Sequence, residues 1–216
     1  MAEARTIRDS VDHLLLGAAD LDAGISWFEE RTGVRAQVGG SHPGMGTRNA
    51  LVSLGSRQYL EIIAPDPAQP AFNFNIDLRA LAAPRLVTWA VSTPDIDAAV
   101  AAARRDKLEI FGPRDGSRRR PDGSLLRWRS AGVLASLAEA DVDPVPFFIQ
   151  WAADSSHPST DAPSGCRLME FAIAGPDPVR LEAVLASLGI DATVTKAAHA
   201  ALTAAIETPK GAVTVA

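Results

Sequence analysis

The sequence predicts an α+β protein in which βαβββ modules repeat, pair into a curved eight-stranded sheet around a cleft, carry their helices outside, and are followed by a third, incomplete module. Three observations predict it. A strand followed by an Asp-capped amphipathic helix occurs three times, beginning near Val11, Leu86 and Leu168. Asp20-Leu21-Asp22-Ala23 aligns with Asp95-Ile96-Asp97-Ala98, and the first two copies superpose without a gap through the helix. Each of those helices precedes short apolar segments bounded by Gly, Pro or Ser, which read as strands.

The first module spans residues 8–66. Val11–Leu16 is its opening strand, apolar except for Asp12 and His13. Asp20 is a helix N-cap, because its carboxylate can accept a bond from a free amide of the first turn. Leu21, Ile25 and Phe28 then form one stripe at i, i+4 and i+7, and Gly33 stops the helix. Strands are expected at Val34–Val38, Thr47–Leu54 and Gln58–Ala64, with a loop at 39–46 and a hairpin turn at Gly55-Ser56. Residues 67–84 read as a linker with a short helical turn near Ile76–Leu81.

The second module spans 85–152. It has a strand at Leu86–Val91, a helix capped by Asp95 with Ile96, Val100 and Ala103 as its stripe, and strands at Leu108–Phe111, Ser124–Ala131 and Pro146–Ala152. Asp122-Gly123 suits a hairpin turn, and Leu134–Glu139 reads as an insertion. The basic segment Pro113–Pro121, with Arg114, Arg118, Arg119 and Arg120, reads as a solvated loop. A Ser/Pro/Asp-rich connector covers 153–165, and the incomplete third module covers 166–216. There Leu168–Ile173 is the strand, Asp177 the cap and Pro178 the first helical residue, where a missing amide costs nothing. Thr193–Thr195, Ala201–Glu207 and Ala212–Val215 are weak strand candidates, and the alanines of the second would equally suit a helix.

Composition narrows the function. With 216 residues, 47% of them apolar, the chain can bury a sizeable core without staples. A formal charge of −5 argues against a general nucleic-acid binder. Cys166 is the one cysteine, so no internal disulfide forms, which fits a reducing compartment. No apolar run is long enough to span a membrane, and Met1–Thr6 lacks a signal core. The expectation is a cytoplasmic protein with a small-molecule ligand and no nucleic-acid or membrane partner; a homodimer is compatible with it.

The three copies of strand, capped helix and hairpin resemble the vicinal oxygen chelate superfamily. Within it, His13 before the Asp-Leu-Asp helix, the strand Gly46–Leu51, Tyr59–Ile63 and Pro146–Trp151 are similar to glyoxalase-like proteins. The resemblance implies metal ligands on the first and last strands of each paired module, facing the cleft. The repeat alignment places these at His13 and Glu61 in one module and at Thr88 and Gln150 in the other. An imidazole and a carboxylate suit a divalent metal such as Zn, Ni, Mn or Fe. Gln150 would be a weaker ligand, and Thr88 departs from the pattern. Strand parity places His13 with Val11 and Leu15, and Glu61 with Tyr59 and Ile63. His42, His157, Glu170 and His199 read as surface groups.

Further cleft candidates come in neighbouring pairs. Arg48 and Asn49 are adjacent on a strand, so only one faces the cleft. Arg127 and Trp128 stand in the same relation: either the arginine face lines the cleft and selects an anion, or Trp128 lines it. Trp151 is a further wall residue. The leading functional expectation is isomerase or lyase chemistry on a small oxygenated metabolite, with Glu61 as metal ligand and base. The alternative is a metal-free small-molecule binding or sequestration protein, and a ring-cleaving dioxygenase ranks last.

Overall fold

A computed structural model describes residues 5–120 and 123–216. In chain order the main elements are β1 (Val11–Gly17), α1 (Leu21–Thr32), β2 (Gln37–His42), β3 (Thr47–Ser53), β4 (Tyr59–Pro65), β5 (Arg85–Ser92) and α2 (Ile96–Arg105). They continue with β6 (Glu109–Arg119), β7 (Leu125–Leu134), β8 (Phe147–Trp151), β9 (Arg167–Gly175), α3 (Pro178–Ser187), β10 (Val194–Lys196), β11 (Ala201–Thr208) and β12 (Gly211–Val215).

All three helices start as their sequences dictate. Asp20, Asp95 and Asp177 each accept a bond from the amide three residues on, at 2.9, 3.0 and 3.2 Å. Such a cap contributes about 1 kcal/mol. Gly33 ends α1 in the left-handed region at φ 78°, where a side chain would be strained.

The large sheet has the order β2-β3-β4-β1-β5-β8-β7-β6. Its two halves repeat one order outward from the centre, β1-β4-β3-β2 and β5-β8-β7-β6. In each half the first and last strands run parallel, and the halves meet through the antiparallel pair β1–β5. The sheet curls so far that its edge strands β2 and β6 approach each other: a Cβ on Gly40 would lie 2.8 Å from the Arg119 carbonyl. The result is a half-barrel with a closed side.

The C-terminal segment opens with the same strand and capped helix, but its sheet has the order β10-β9-β11-β12, with β9 and β10 adjacent and parallel. Ala201–Thr208 is strand, paired on both sides; ladder bonds and alternate burial outweigh the helical preference of its alanines. This sheet covers the outer face of the half-barrel. Leu14, Leu16, Trp89 and Val91 share a core with Phe171, Ile173, Leu202 and Ala204. Trp89 meets Phe171 edge-on at 5.0 Å and donates its indole N–H to the Pro144 carbonyl at 2.9 Å. Glu170 is exposed on the C-terminal sheet, away from the concave face.

Three segments depart from the sequence reading. β2 runs through Gly39-Gly40 instead of ending before them, with a register shift at Val38–Gly40 that glycine accommodates. β6 extends to Arg119, so the basic segment is strand rather than loop. Its hairpin turn, expected at Asp122-Gly123, falls partly outside the described residues. The helical turn in the linker is shorter than expected, Leu78–Ala80. Linker residues Ile76 and Leu78 close one end of the concave face against Leu15, Ile63 and Val87. Among the described residues no helix is long and apolar enough to cross a membrane.

Candidate active site

The concave face gathers a buried polar group around His13. Parity would place His13 beside Val11, but a bulge shifts the β1–β5 register between Val11 and His13. Val11 therefore joins the outer core with Leu14 and Leu16. Asp12 and His13 are both directed to the concave side, where an unbroken strand would have sent them to opposite faces.

That irregularity sets up the site. His13 Nδ1 lies 2.8 Å from Asp12 Oδ1, and His13 Nε2 lies 3.7 Å from Glu61 Oε2. Tyr59, opposite His13 in register, stacks on the imidazole at 4.5 Å and 16°. Asp12 also accepts from Trp151 Nε1 at 3.2 Å and from His157 Nε2 at 3.3 Å. Burial works against its charge, yet the bonds from His13 and His157 outweigh that and hold the carboxyl down at about 2. A carboxylate only accepts, so the proton of His13 sits on Nδ1 and Nε2 is turned to Glu61.

A second layer fixes Glu61. Asn49 Nδ2 donates to Glu61 Oε1 at 2.9 Å and reaches His42 Nε2 at 3.2 Å. Burial keeps the His42 imidazole neutral by pushing its pKa down; its Nδ1–H serves Thr47 Oγ1 at 2.9 Å, and its Nε2 accepts from Asn49. Both amide hydrogens of Asn49 are thus used. Its Oδ1 is buried with no partner. Beyond it lies Arg118, 4% exposed, with no hydrogen-bond or ion-pair partner among the described residues. Glu61 and Tyr59 are the negative or polar groups its charge feels most strongly.

The remaining sequence candidates separate by face. Trp151 and Trp128 are inside, 5.7 Å apart, and Trp128 stands edge-on to His42. Gln150 faces outward and caps α2: its Oε1 accepts from the Ile96 amide at 3.1 Å, and its Nε2 donates to the Pro94 carbonyl at 2.8 Å. Arg127 pairs with Asp154, and Arg129 makes two bonds to Asp97 on the outer side. Arg48 leans toward Asp20, 3.8 Å away. The structure therefore brings together His13, Glu61, Asn49, Trp128 and Trp151, and leaves Gln150, Arg48 and Arg127 outside. It adds Asp12, His42, Tyr59, Arg118 and His157. His199 is exposed beside Glu139.

The family model for the glyoxalase-like domain matches residues 11–189, more than half of the chain. The chain belongs to the glyoxalase-like domain family. One solved structure agrees on the fold, and two others are similar over part of it. A hypothetical protein from Staphylococcus aureus is 16% identical, with a TM-score of 0.68 over 88% of this chain and 87% of that one. Methylmalonyl-CoA epimerase from Streptomyces coelicolor, in complex with 2-nitronate-propionyl-CoA, is 19% identical, with a TM-score of 0.48 over 67% of this chain and 98% of that one. The epimerase from Mycobacterium tuberculosis is 19% identical, with a TM-score of 0.47 over 68% and 90%. No curated protein matches the chain.

The resemblance of the sequence to the vicinal oxygen chelate superfamily implies a divalent metal, and the donor set bears on that expectation. Of the four positions the repeat implies, Gln150 is spent on a helix cap and Thr88 offers only a neutral hydroxyl. One oxygen of Glu61 is already bonded to Asn49. Among the described residues no group of three or more His, Cys, Asp or Glu side chains is placed to hold a metal ion. These residues do not fit the four-ligand centre.

The site is closed by its own side chains. Asp12, His13, Asn49, Glu61 and His157 are each at most 6% exposed. A cavity of about 310 Å³ opens beside it, lined by Gly39, Leu51, Arg118, Arg120, Pro158 and Ala162 among others. Leu51 is directly opposite Glu61 in the sheet, so Glu61 stands on the same face, one strand away from this part of the cavity wall.

Proposed function

We propose that this glyoxalase-like protein is an isomerase- or lyase-type enzyme that moves a proton on a small oxygenated molecule, with Glu61 as the base. The observation that carries the reading is the buried row Asp12–His13–Glu61, at 2.8 and 3.7 Å. Asp12 is a positioning residue: it fixes the imidazole so that Nε2 is directed at the carboxylate. Glu61 takes a proton from a carbon beside a carbonyl and the C–H electron pair passes to the carbonyl oxygen; Glu61 exchanges the proton with His13 Nε2, and as the electron pair flows back a C–H bond forms again with a proton from Glu61. The surrounding aromatic rings exclude water, which strengthens each of these charge interactions. The metal-assisted version expected from the sequence lacks its donors here, and no step uses one.

The test is solvent-deuterium exchange into 2-hydroxy carbonyl compounds, followed by proton NMR. Wild-type protein should label the carbon next to the carbonyl. Glu61→Gln should lower that rate by a factor of about 10² or more, the usual contribution of a positioned base. Equal rates for the two proteins would refute the assignment.

A metal-free binding protein is the second reading, and one observation favours it: neither His13 nor Glu61 lines the 310 Å³ cavity at Arg118 or the cavity at Arg57 and Trp151. Ligand binding with no exchange in wild-type protein would establish it in place of the first.

A further inference from the structure

We infer that Asn49 Oδ1 and Arg118 form a recognition pair for a small carboxylate that carries a hydroxyl and a carbonyl on adjacent carbons; this rests on the proton-transfer reading of the same site.

The argument begins with the orientation of the Asn49 amide. Turning it over would set Oδ1 against the Glu61 carboxylate and against the lone pair of His42 Nε2, two acceptors at 2.9 and 3.2 Å. The observed orientation is therefore fixed by charge, and Oδ1 is left as a buried acceptor without a donor. Leaving such a group unpaired costs about 1–3 kcal/mol, so a donor that reaches it is rewarded.

Arg118 supplies the complementary half. Its guanidinium is buried, lacks a partner among the described residues, and lines the 310 Å³ cavity. A buried guanidinium suits a carboxylate through paired N–H bonds. The two groups lie side by side across Gly39. A Cβ there would be 2.4 Å from Asn49 Oδ1 and 2.5 Å from Arg118 Nη1, so the absent side chain is what keeps both polar atoms in place. One subsite thus demands an acceptor with negative charge, and the adjacent one demands a hydrogen-bond donor. A carboxylate with a nearby hydroxyl meets both. Arg120, the other cation on the cavity wall, is occupied by Asp161 and the Ser156 carbonyl, which leaves Arg118 as the available one.

Placement relative to Glu61 then selects the carbonyl. Asn49 grips Glu61 through Nδ2 and presents Oδ1 away from it, so a hydroxyl bound at Oδ1 belongs to a carbon close to the base. A proton can be drawn from that carbon only if a carbonyl beside it receives the electron pair. The proton rests on Glu61 and returns to the same carbon, or to the neighbouring one once the hydroxyl proton has passed to the enolate oxygen and the first carbon's oxygen has become the carbonyl, so that atoms and electrons balance with no co-reactant.

Three compounds separate the parts by isothermal titration calorimetry: 3-hydroxypyruvate, pyruvate without the hydroxyl, and dihydroxyacetone without the carboxylate. Wild-type protein should bind 3-hydroxypyruvate at least tenfold more tightly than either control. Arg118→Gln, with its native fold checked by circular dichroism, should bind 3-hydroxypyruvate no better than dihydroxyacetone. Equal binding of the three compounds, no binding of 3-hydroxypyruvate by folded wild-type protein, or undiminished binding by Arg118→Gln would each overturn the inference. Deuterium exchange at C3 is read in the same samples. Tight, Arg118-dependent binding without exchange would sink the proton-transfer reading and leave the recognition pair standing.

Discussion

Replacing Asp12 by Asn tests the row on which the site depends. In the native protein the carboxylate accepts from His13, His157 and Trp151 at 2.8, 3.3 and 3.2 Å. Its pKa is about 2 when folded, against roughly 3.9 in an unfolded chain. A folded value below the unfolded one means the stabilisation is complete above pH 4 and is lost as the pH falls through about 2. The depressed value corresponds to about 2–3 kcal/mol at pH 7 and to about half of that at pH 3. Asp12→Asn removes the charge and turns an amide N–H₂ toward at least one donor. We expect a loss of about 2–3 kcal/mol at pH 7 that shrinks to roughly half at pH 3. Urea unfolding followed by far-UV circular dichroism measures both values. A deficit of the same size at the two pH values would show that the bonds, and not the ionised state, carry the effect. No deficit at pH 7 would show that Asp12 does not hold the row together.

Three further outcomes follow from the geometry. Burial, partly offset by the Val145 amide, pushes the Asp143 carboxyl up to about 6, so its ionisation costs stability as the pH rises from about 4 to 6. Asp143→Asn keeps an acceptor for the 3.0 Å bond from Val145 and should raise the melting temperature at pH 7 but not at pH 4. Gly39→Ala drives a methyl group against Asn49 and Arg118, and should weaken 3-hydroxypyruvate binding at least tenfold while the circular dichroism spectrum stays native. Metal analysis of freshly purified protein should find well under one divalent ion per chain, with the melting temperature unmoved by EDTA; one equivalent that disappears in Glu61→Ala would restore the metal centre.

Much of the fold was legible because its signals are local. Asp caps, helical stripes and the glycine after α1 each act within a few residues, and the caps act alike in the three copies. The site was legible only in part, because it depends on which face a residue takes. Gln150 and Trp151 are neighbours on β8, so both cannot face inward, and the sequence holds no sign of which one does. The bulge before His13 defeats a parity count outright. Arg118 was hidden in a run of arginines whose other members are solvated or paired; only the approach of β6 to β2 buries it. His157 reads as a surface group because nothing near it in sequence shows that the connector folds over the mouth of the half-barrel and reaches Asp12.

The two halves of the large sheet share an order but not a chemistry, and this asymmetry sets how the buried carboxylate of Glu61 is compensated. The first half contributes Asp12, His13, His42, Asn49 and Glu61. The second answers with Phe147, Trp128 and Trp151, with the neutral hydroxyl of Thr88, and with one buried charge among the described residues, Arg118. Ligands drawn from both halves would share the charge of a metal between them. Here the aromatic wall lowers the local dielectric, which makes an unpaired carboxylate expensive and a paired one strong. Glu61 is paired through Asn49 and faces His13, while Arg118 offsets its charge from the cavity side. A ligand carboxylate that engages Arg118 withdraws part of that compensation.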